Sequence, residues 1–261
     1  MKKRVSFVLS TAVLGFLGAT QPASAANLTW DPSHTGTASD GSGNWNTTDA
    51  NWWNGSADVA VTPLAQSNGV ASGATVTGSP VISLLSTAGM TVGQYFGGTN
   101  VPIGSTILSI DTGLNKVTIS ANATGNANNQ LFQAADKLTI GAGTGAGGTI
   151  TLTAPAGVNT LTFAANSGNY IINESGTAAL TLTAGPNAPT NLTIASGTNV
   201  TFNNEVSLTN PNQAGTINVA DGQTLTFAKA GNALSSTLVG GANSTVKVTG
   251  NTGAGNLGIV N

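Results

Sequence analysis

The residues LTIASGTNVTF, numbers 192 to 202, contain two apolar-polar-apolar triplets separated by a turn of small and polar residues. Alternation at a period of two predicts two short strands, each with one buried face. Such triplets recur from Ala135 onward in two interleaved sets. The first set is Leu138-Thr139-Ile140, Leu161-Thr162-Phe163, Leu180-Thr181-Leu182, Val200-Thr201-Phe202, Leu225-Thr226-Phe227 and Val246-Lys247-Val248. The second set is Ile150-Thr151-Leu152, the cluster from Tyr170 to Ile172, Leu192-Thr193-Ile194, Ile217-Asn218-Val219, Leu238-Val239 and Leu257-Gly258-Ile259.

Both sets repeat about every twenty residues. In residue number, the steps of the first set are 23, 19, 20, 25 and 21, and those of the second set are 22, 20, 25, 21 and 19. The long step falls at the same place in both sets. It predicts one insertion between Val200 and Ile217, in the loop that carries Pro211-Asn212-Gln213. Two sets that share an insertion are expected to be strands of the same coils.

A repeat of this length without helical periodicity is typical of a solenoid. The sequence therefore predicts an all-β fold with a right-handed parallel β-helix over residues 135–261. Threonines are expected to point outward, and Phe163, Phe202 and Phe227 are expected to align in one inward column. A β-sandwich with similar strand spacing is the alternative, and the lack of Asn-Gly hairpin turns between these strands disfavours it.

The first residues have the pattern of a secretory signal peptide. Lys2, Lys3 and Arg4 precede an apolar stretch, and Ala23-Ser24-Ala25 is a small-residue cleavage site. Residues 1–25 are therefore expected to be removed on export. The remaining chain has four lysines against nine acids, which leaves five net negative charges. Nucleic acid and anionic membrane surfaces require a basic face and are disfavoured as partners.

All four tryptophans lie between Leu28 and Val61, in Thr29-Trp30-Asp31, Asn44-Trp45-Asn46 and Asn51-Trp52-Trp53-Asn54. A solenoid exposes apolar surface at its first coil, and large aromatic side chains can cover it. Residues 26–69 are therefore predicted to form a Trp-rich N-terminal cap. Ahead of Thr- and Gly-rich coils, this order resembles the start of passenger regions in the autotransporter-associated β-strand repeat proteins. The resemblance implies an exported, passenger-type surface protein without catalytic activity.

Residues 70–134 differ from the coils in the spacing of their apolar and turn residues. Val101-Pro102-Ile103-Gly104, Ile107-Leu108-Ser109-Ile110-Asp111 and Lys116-Val117-Thr118-Ile119 indicate short strands separated by Gly and Pro turns. Because the coil spacing resumes directly afterwards, this segment is predicted to be an inserted small β module. It resembles modules that recur in large bacterial and phage surface proteins, and its removal is expected to leave the solenoid folded.

The chain has few groups suited to catalysis. β-Helix enzymes that act on polysaccharides use clustered carboxylates or a basic side chain. Beyond the leader there is no arginine, and Glu174 and Glu205 lie far apart in the sequence, so neither a catalytic site nor a cofactor is predicted. His34 has no partner at metal-binding spacing, and Asp40-Gly41-Ser42-Gly43-Asn44 lacks the later glutamate of a calcium loop. No metal site is predicted.

These features favour a structural or adhesive protein at the cell surface or outside the cell. The expected partner is a host or neighbouring-cell surface, a matrix or a glycan. A carbohydrate-binding module that stacks sugars on Trp30, Trp45, Trp52 or Trp53 is the second hypothesis. A polysaccharide-active enzyme is less favoured. Ice binding is also less favoured, because only two of the six outward pairs in the first set are threonine pairs.

The chain is not expected to insert into a membrane by itself. It is expected to be a fragment or a short relative of a longer passenger, because it stops at Leu257-Gly258-Ile259-Val260-Asn261, inside what would be another coil. Strand edges left open there are expected to favour end-to-end self-association.

Overall fold

The computed structural model describes residues 27–46, 48–60, 71–88, 90, 92–135, 137–182, 191–208, 215–249 and 258–260. These residues form strands, turns and loops and contain no helix, so the predicted all-β class is confirmed. In particular, they include no helix long and apolar enough to cross a membrane. The predicted signal peptide and the predicted Pro211 loop lie outside the described residues.

The strands fall into three groups along the chain. The tryptophan-rich segment contains β1 (Asn27–Trp30), β2 (Gly43–Trp45), β3 (Trp52–Trp53) and β4 (Asp58–Val59). The module contains β5 (Ala71–Thr75), β6 (Val81–Leu84), β7 (Tyr95–Gly98), β8 (Ile107–Asp111), β9 (Lys116–Ile119) and β10 (Ala127–Ala135). The coils contain β11 (Lys137–Ile140), β12 (Gly148–Leu152), β13 (Ala156–Val158), β14 (Thr160–Phe163), β15 (Gly168–Glu174), β16 (Leu180–Leu182), β17 (Asn191–Ile194), β18 (Thr198–Phe202), β19 (Val206–Leu208), β20 (Gly215–Val219), β21 (Thr224–Phe227), β22 (Ala233–Leu234), β23 (Ser236–Gly240), β24 (Thr245–Val248) and β25 (Gly258–Val260).

The coils stack into a parallel β-solenoid with three sheets. Sheet I has the order β25-β23-β20-β17-β14-β11-β1-β3-β4, sheet II the order β2-β12-β15-β18-β21-β24, and sheet III the order β13-β16-β19-β22. Four coils contribute a strand to all three sheets, and each coil strand pairs in parallel with the next coil. The predicted parallel β-helix is confirmed. The β-sandwich alternative is wrong, because the described coil strands do not form antiparallel hairpins.

Inward side chains fill the space between the three sheets. In β17 and β18, for example, Leu192, Ile194 and Phe202 are fully buried, whereas Thr193 and Thr201 point outward. Successive coils in a parallel sheet lie about 4.8 Å apart, so like positions stack on one another. The result is one continuous apolar core that runs from Leu28 and Trp30 to Leu234.

The predicted phenylalanine column is wrong. Phe163 lies on sheet I, where it pairs with Ile140 and Ile194. Phe202 and Phe227 pair with each other on sheet II. All three rings are fully buried, and the ring centroids of Phe163 and Phe202 are 6.0 Å apart across the core. The rings therefore pack together from two sheets rather than in one column.

The difference arises at Leu180-Thr181-Leu182, which forms β16 in sheet III. This short strand has the same alternation as a sheet I strand, so counting it as a coil repeat shifts every later triplet to the wrong sheet. Equivalent sheet I positions are in fact Leu138, Leu161, Leu192, Ile217, Leu238 and Ile259. The longest coil therefore precedes Leu192, and a smaller extension precedes Ile217.

The tryptophan-rich segment is built into the solenoid. Strand β1 pairs in parallel with β11, and β2 pairs in parallel with β12. Strand β3 then pairs antiparallel with β1, and β4 with β3. The segment therefore supplies the first strands of sheets I and II, and an antiparallel pair ends sheet I.

The module forms a separate antiparallel sheet with the order β7-β10-β5-β6-β9-β8. A bridge between Tyr95 and Thr106 joins β7 to the residues just before β8, so the sheet curls towards closure. Its core is distinct from that of the coils and includes Phe96 and Phe132, whose rings stack at 5.8 Å. Gly98 makes room for this stack, because a Cβ there would lie 2.2 Å from the Phe132 ring.

Candidate functional site

Three of the four tryptophan side chains lie inside the solenoid core. Trp30, Trp45 and Trp52 come from three different strands and are at most 1% exposed. The Trp52 ring centroid lies 5.1 Å from that of Trp30 and 5.0 Å from that of Trp45, both in edge-on contacts. The Trp30 indole N–H donates to the Gly41 carbonyl at 3.1 Å. These rings cover the end of the coil core.

Trp53 has a different environment from the other three tryptophans. It follows Trp52 in β3, points to the opposite side and is partly exposed beside the loop at Gly36. A sugar stacks only on an aromatic ring with an open face. The fold therefore leaves Trp53, alone of the four predicted stacking residues, with an accessible ring.

Asp31 anchors the loop that follows β1. Its carboxylate accepts hydrogen bonds from five groups: the hydroxyls of Ser33, Thr35 and Ser39 at 3.0, 3.3 and 2.7 Å, and the N–H groups of Gly36 and Thr37 at 2.9 and 3.3 Å. Burial raises the pKa of Asp31, but these hydrogen bonds outweigh burial and hold the pKa below its ordinary value. The loop thus satisfies its own buried charge.

Asp40 joins the tryptophan-rich segment to the coils. Its carboxylate accepts the N–H groups of Ala142 and Thr144 at 2.9 and 2.8 Å, the Tyr170 hydroxyl at 2.8 Å and the Thr144 hydroxyl. Burial raises the pKa of Asp40, but the hydrogen bonds outweigh it and lower the pKa. Burial, together with the bond to Asp40 and its charge, raises the pKa of Tyr170. The oxygens of Asp40 face hydrogen-bond donors, so this turn acts as a latch between segments.

The other polar groups of the segment also pair locally. The Asp49 carboxylate accepts the side-chain amides of Asn44 and Asn46 at 3.0 Å each, and these bonds lower its pKa. His34 places Nδ1 3.6 Å from the Asp58 carboxylate. Within the part of the chain that the structure describes, no three acidic or histidine side chains gather in a way that could hold a metal ion.

Glu174 and Lys229 form an ion pair across the coils. Their separation in the sequence matches the two coil steps on sheet II that lead from Ile172 through Phe202 to Phe227. The coil spacing predicted from the sequence was wrong, so this ion pair was not predicted. A separation of two whole coils on sheet II is the signal that identifies it. Glu205 comes from the coil between them and is exposed. The arrangement neutralises Glu174 and links two coils that are not adjacent.

The outward faces of the coils are polar and carry little charge. On sheet I the outward pairs are Lys137/Thr139, Thr160/Thr162, Asn191/Thr193, Thr216/Asn218 and Thr237/Val239. Only one of these five is a threonine pair, so the corrected register also leaves a threonine array broken. On sheet II the amide of Asn199 donates to Asn169 at 3.0 Å, and that of Asn203 donates to Asn173 at 2.9 Å. These ladders stabilise the stack from outside.

Large exposed apolar side chains concentrate on the module. Of the ten found among the described residues, eight lie in the module, and only Ile171 and Val239 lie in the coils. The eight are Val76, Val81, Leu85, Val92, Ile103, Leu108, Leu114 and Leu131. Contiguous exposed apolar patches mark surfaces that bind other molecules, and Leu131 and Leu85 lie on one face of the module, on either side of Ser72. The sequence did not reveal this surface, because strand alternation does not say which of two apolar faces is covered.

A groove of about 210 Å³ lies on the outside of the module over its two central strands. Its lining includes Ser72 and Ala74 from β5, Ser83 and Leu85 at β6, and Asn128 and Asn129 from β10. The small side chains of β5 form its floor. Asn129 has a left-handed backbone with φ of 53° and lies in a bulge of β10, which raises one wall of the groove.

The last coils are less covered than the middle ones. Val246 and Val248 in β24 are partly exposed, although the equivalent Leu225 and Phe227 in β21 are fully buried. This is the end at which the sequence predicts self-association. Comparison of the chain with models of protein families, with curated protein sequences and with solved structures found no match.

Proposed function

We propose that this chain is an exported structural or adhesive part of a bacterial cell-surface protein, of the autotransporter passenger type. The solenoid is its rigid support, and the module makes the contact. The observation that carries this proposal is the division of the surface: eight of the ten exposed large apolar side chains lie on the module, whereas the coils present stacked threonine and asparagine.

Several contacts make the solenoid suited to support. Its core is continuous from coil to coil, buried tryptophans cover one end, and Asp40 and the Glu174–Lys229 pair tie separate parts of the chain together. A stack of this kind resists bending because each coil is hydrogen-bonded to both neighbours. The leader pattern at residues 1–25 supports export.

The chemistry of the module limits the kind of partner it fits. Asp111 and Lys116 are the only charged residues between Ala71 and Ala135, so the module is electrically neutral. A neutral surface with exposed leucine, valine and isoleucine fits a protein or glycan surface on a host cell, a neighbouring cell or a matrix. It does not fit a polyanion, which requires a basic face.

Glycan binding at the solenoid end is a second candidate function. It is favoured by one observation, the partly exposed ring of Trp53 beside the Gly36 loop. If Trp53 is a stacking platform, Trp53→Ala is expected to abolish glycan binding without lowering the melting temperature. Loss of melting temperature without loss of binding would assign Trp53 to packing.

The main proposal is tested by export and by adhesion. Expressed in a bacterium, the chain is expected outside the cytoplasm with Ala26 as its first residue, which N-terminal sequencing measures. Beads coated with the mature chain are expected to adhere to cells or matrix, and beads coated with a chain lacking residues 71–135 are expected not to adhere. A matched control changes the coil face instead, with Thr162→Lys and Thr193→Lys. Adhesion that survives removal of the module, or is lost in the control, would contradict the proposal.

A further inference from the structure

The outward face of β10, β5 and β6 has two projecting leucines on either side of a small residue. Leu131 in β10 pairs with Ser72 in β5, and the N–H of Leu85 donates to the Ser72 carbonyl from the other side. Leu85 is 78% exposed and Leu131 is 59% exposed. The groove described above opens directly beside Leu85. A projecting apolar side chain and a recess large enough to receive one therefore lie next to each other on the same face.

We propose that two copies of this chain pair through this face, with Leu85 of each copy inserted into the groove of the other. A two-fold axis along the strands, midway between β5 and β6, places β6 of one copy over β5 of the second copy. Leu85 then lies over Ser72 of the second copy, and the reverse contact forms by symmetry. An interface between identical copies requires this kind of self-complementary surface.

The polar groups of the face match themselves under the same rotation. Lys116 lies in the row of Ala74 and Ser83, because Ser83 pairs with both. Asn128 and Asn129 occupy the bulge at the other end of that row. The two-fold rotation puts Lys116 of one copy and the asparagine bulge of the second on the same flank of the interface. Asp111 lies directly opposite Lys116 in β8, so this flank carries no net charge that would oppose the pairing of two copies.

These features favour a second copy over other occupants. A polyanion or an anionic lipid surface would need more than one cation, and the module has only Lys116. A second copy supplies a leucine that the rotation places directly over the groove floor at Ser72, beside the Leu85 that lines the same groove. Pairing of two copies buries both features at once, and it goes beyond the proposed adhesive role because it requires no other cell or matrix.

The experiment is sedimentation of the mature chain over a range of concentrations. A dimer is expected to form, and Leu85→Asp is expected to raise its dissociation constant at least about tenfold, as for a central apolar residue of an interface. Ala74→Phe fills the groove and leaves Leu85 unchanged, and it is expected to raise the dissociation constant of the dimer by a similar factor. Leu85→Met is expected to preserve the dimer, because it keeps the side-chain volume and polarity. The matched control is Ile103→Asp, since Ile103 is 60% exposed but lies between β7 and β8, away from β5 and β6.

Chemical cross-linking locates the contact independently. The chain contains no cysteine, so Leu85→Cys and Ile103→Cys each introduce one thiol. A short bismaleimide is expected to cross-link the Leu85→Cys protein as a dimer and to leave the Ile103→Cys protein monomeric. A chain that stays monomeric at all concentrations would overturn the proposal. A dimer that persists unchanged in Leu85→Asp would also overturn it, because association would then occur elsewhere, for example end to end. Either result leaves the adhesion assay above unaffected.

Discussion

Replacing Phe202 by alanine tests the arrangement of the coil core. The Phe202 side chain is fully buried; its ring stacks on Phe227 at 5.5 Å and meets the edge of Phe163 at 6.0 Å. Truncation of a buried phenylalanine to alanine costs about 3–5 kcal/mol, with the higher values where the surroundings cannot collapse. Hydrogen-bonded strands on both sides of Phe202 hold the cavity open, so we expect a loss of about 4 kcal/mol in the free energy of unfolding.

Urea unfolding of the mature chain, followed by circular dichroism, measures this loss. The neighbouring Thr201 points outward, so Thr201→Val is the matched control and is expected to change the free energy of unfolding by less than about 0.5 kcal/mol. Phe202→Asp is expected to cost more than alanine, because it buries an unpaired charge. A loss for Phe202→Ala no greater than that for Thr201→Val would refute the placement of this ring between sheets I and II.

Three further changes test other parts of the structure. Asp40→Asn is expected to lower the melting temperature at neutral pH. Hydrogen bonds hold the folded pKa of Asp40 below its ordinary value of 3.8, so the stability that its carboxylate contributes is lost as the pH falls through that folded pKa. The difference in melting temperature between the variant and the unchanged chain is therefore expected to vanish at such acidic pH. An equal difference in melting temperature at neutral and acidic pH would contradict a stabilising role for the Asp40 carboxylate. Gly98→Ala is expected to destabilise the module by about 1–3 kcal/mol, because its Cβ would collide with the Phe132 ring, and proteolysis of the module should report this; unchanged resistance would exclude the collision. Removal of residues 71–135 is expected to leave the β signal of the coils in circular dichroism, since the module has its own core, and complete loss of that signal would show that the two depend on each other.

The fold could be predicted because the coils repeat a simple rule. Most coil strands of sheets I and II alternate apolar and polar residues, and small turn residues separate the strands, as in Leu192-Thr193-Ile194 and Val200-Thr201-Phe202. The pairing of strands could not be predicted as well. Sheet III strands are very short, and Leu180-Thr181-Leu182 has the alternation of the longer strands. Its sheet is decided by where the chain bends, which alternation does not encode.

The alternation of apolar and polar residues predicts strands, but it does not by itself predict which side chains of the tryptophan-rich segment and the module are exposed. The burial of Trp30, Trp45 and Trp52 follows from their place at the open end of a solenoid, as a cap requires. The exposure of Leu85 and Leu131 does not follow from the sequence. Leu85 directly follows β6 and Leu131 lies in β10, and each of these two strands carries apolar residues on both of its faces. Only the curvature of the closed sheet determines that Ile82 and Phe132 are inside and the leucines outside.

The position of the module affects how the chain can fold. Coil strands pair with the next coil along the chain, as Leu161 does with Leu192, but Leu28 in β1 pairs with Leu138 in β11 across the whole module. Closing a longer loop costs more chain entropy and delays the contacts that depend on it. Within the module, however, Ala71 pairs with Phe132, so its folding brings the two ends of the segment together. The loop that separates β1 from β11 is then shortened to roughly half its length, which reduces its closure cost by about 0.7 kcal/mol. We therefore expect the module to form before β1 pairs with β11. During refolding, the far-ultraviolet β signal of the module is expected to appear before the change in tryptophan fluorescence that marks burial of Trp30, Trp45 and Trp52.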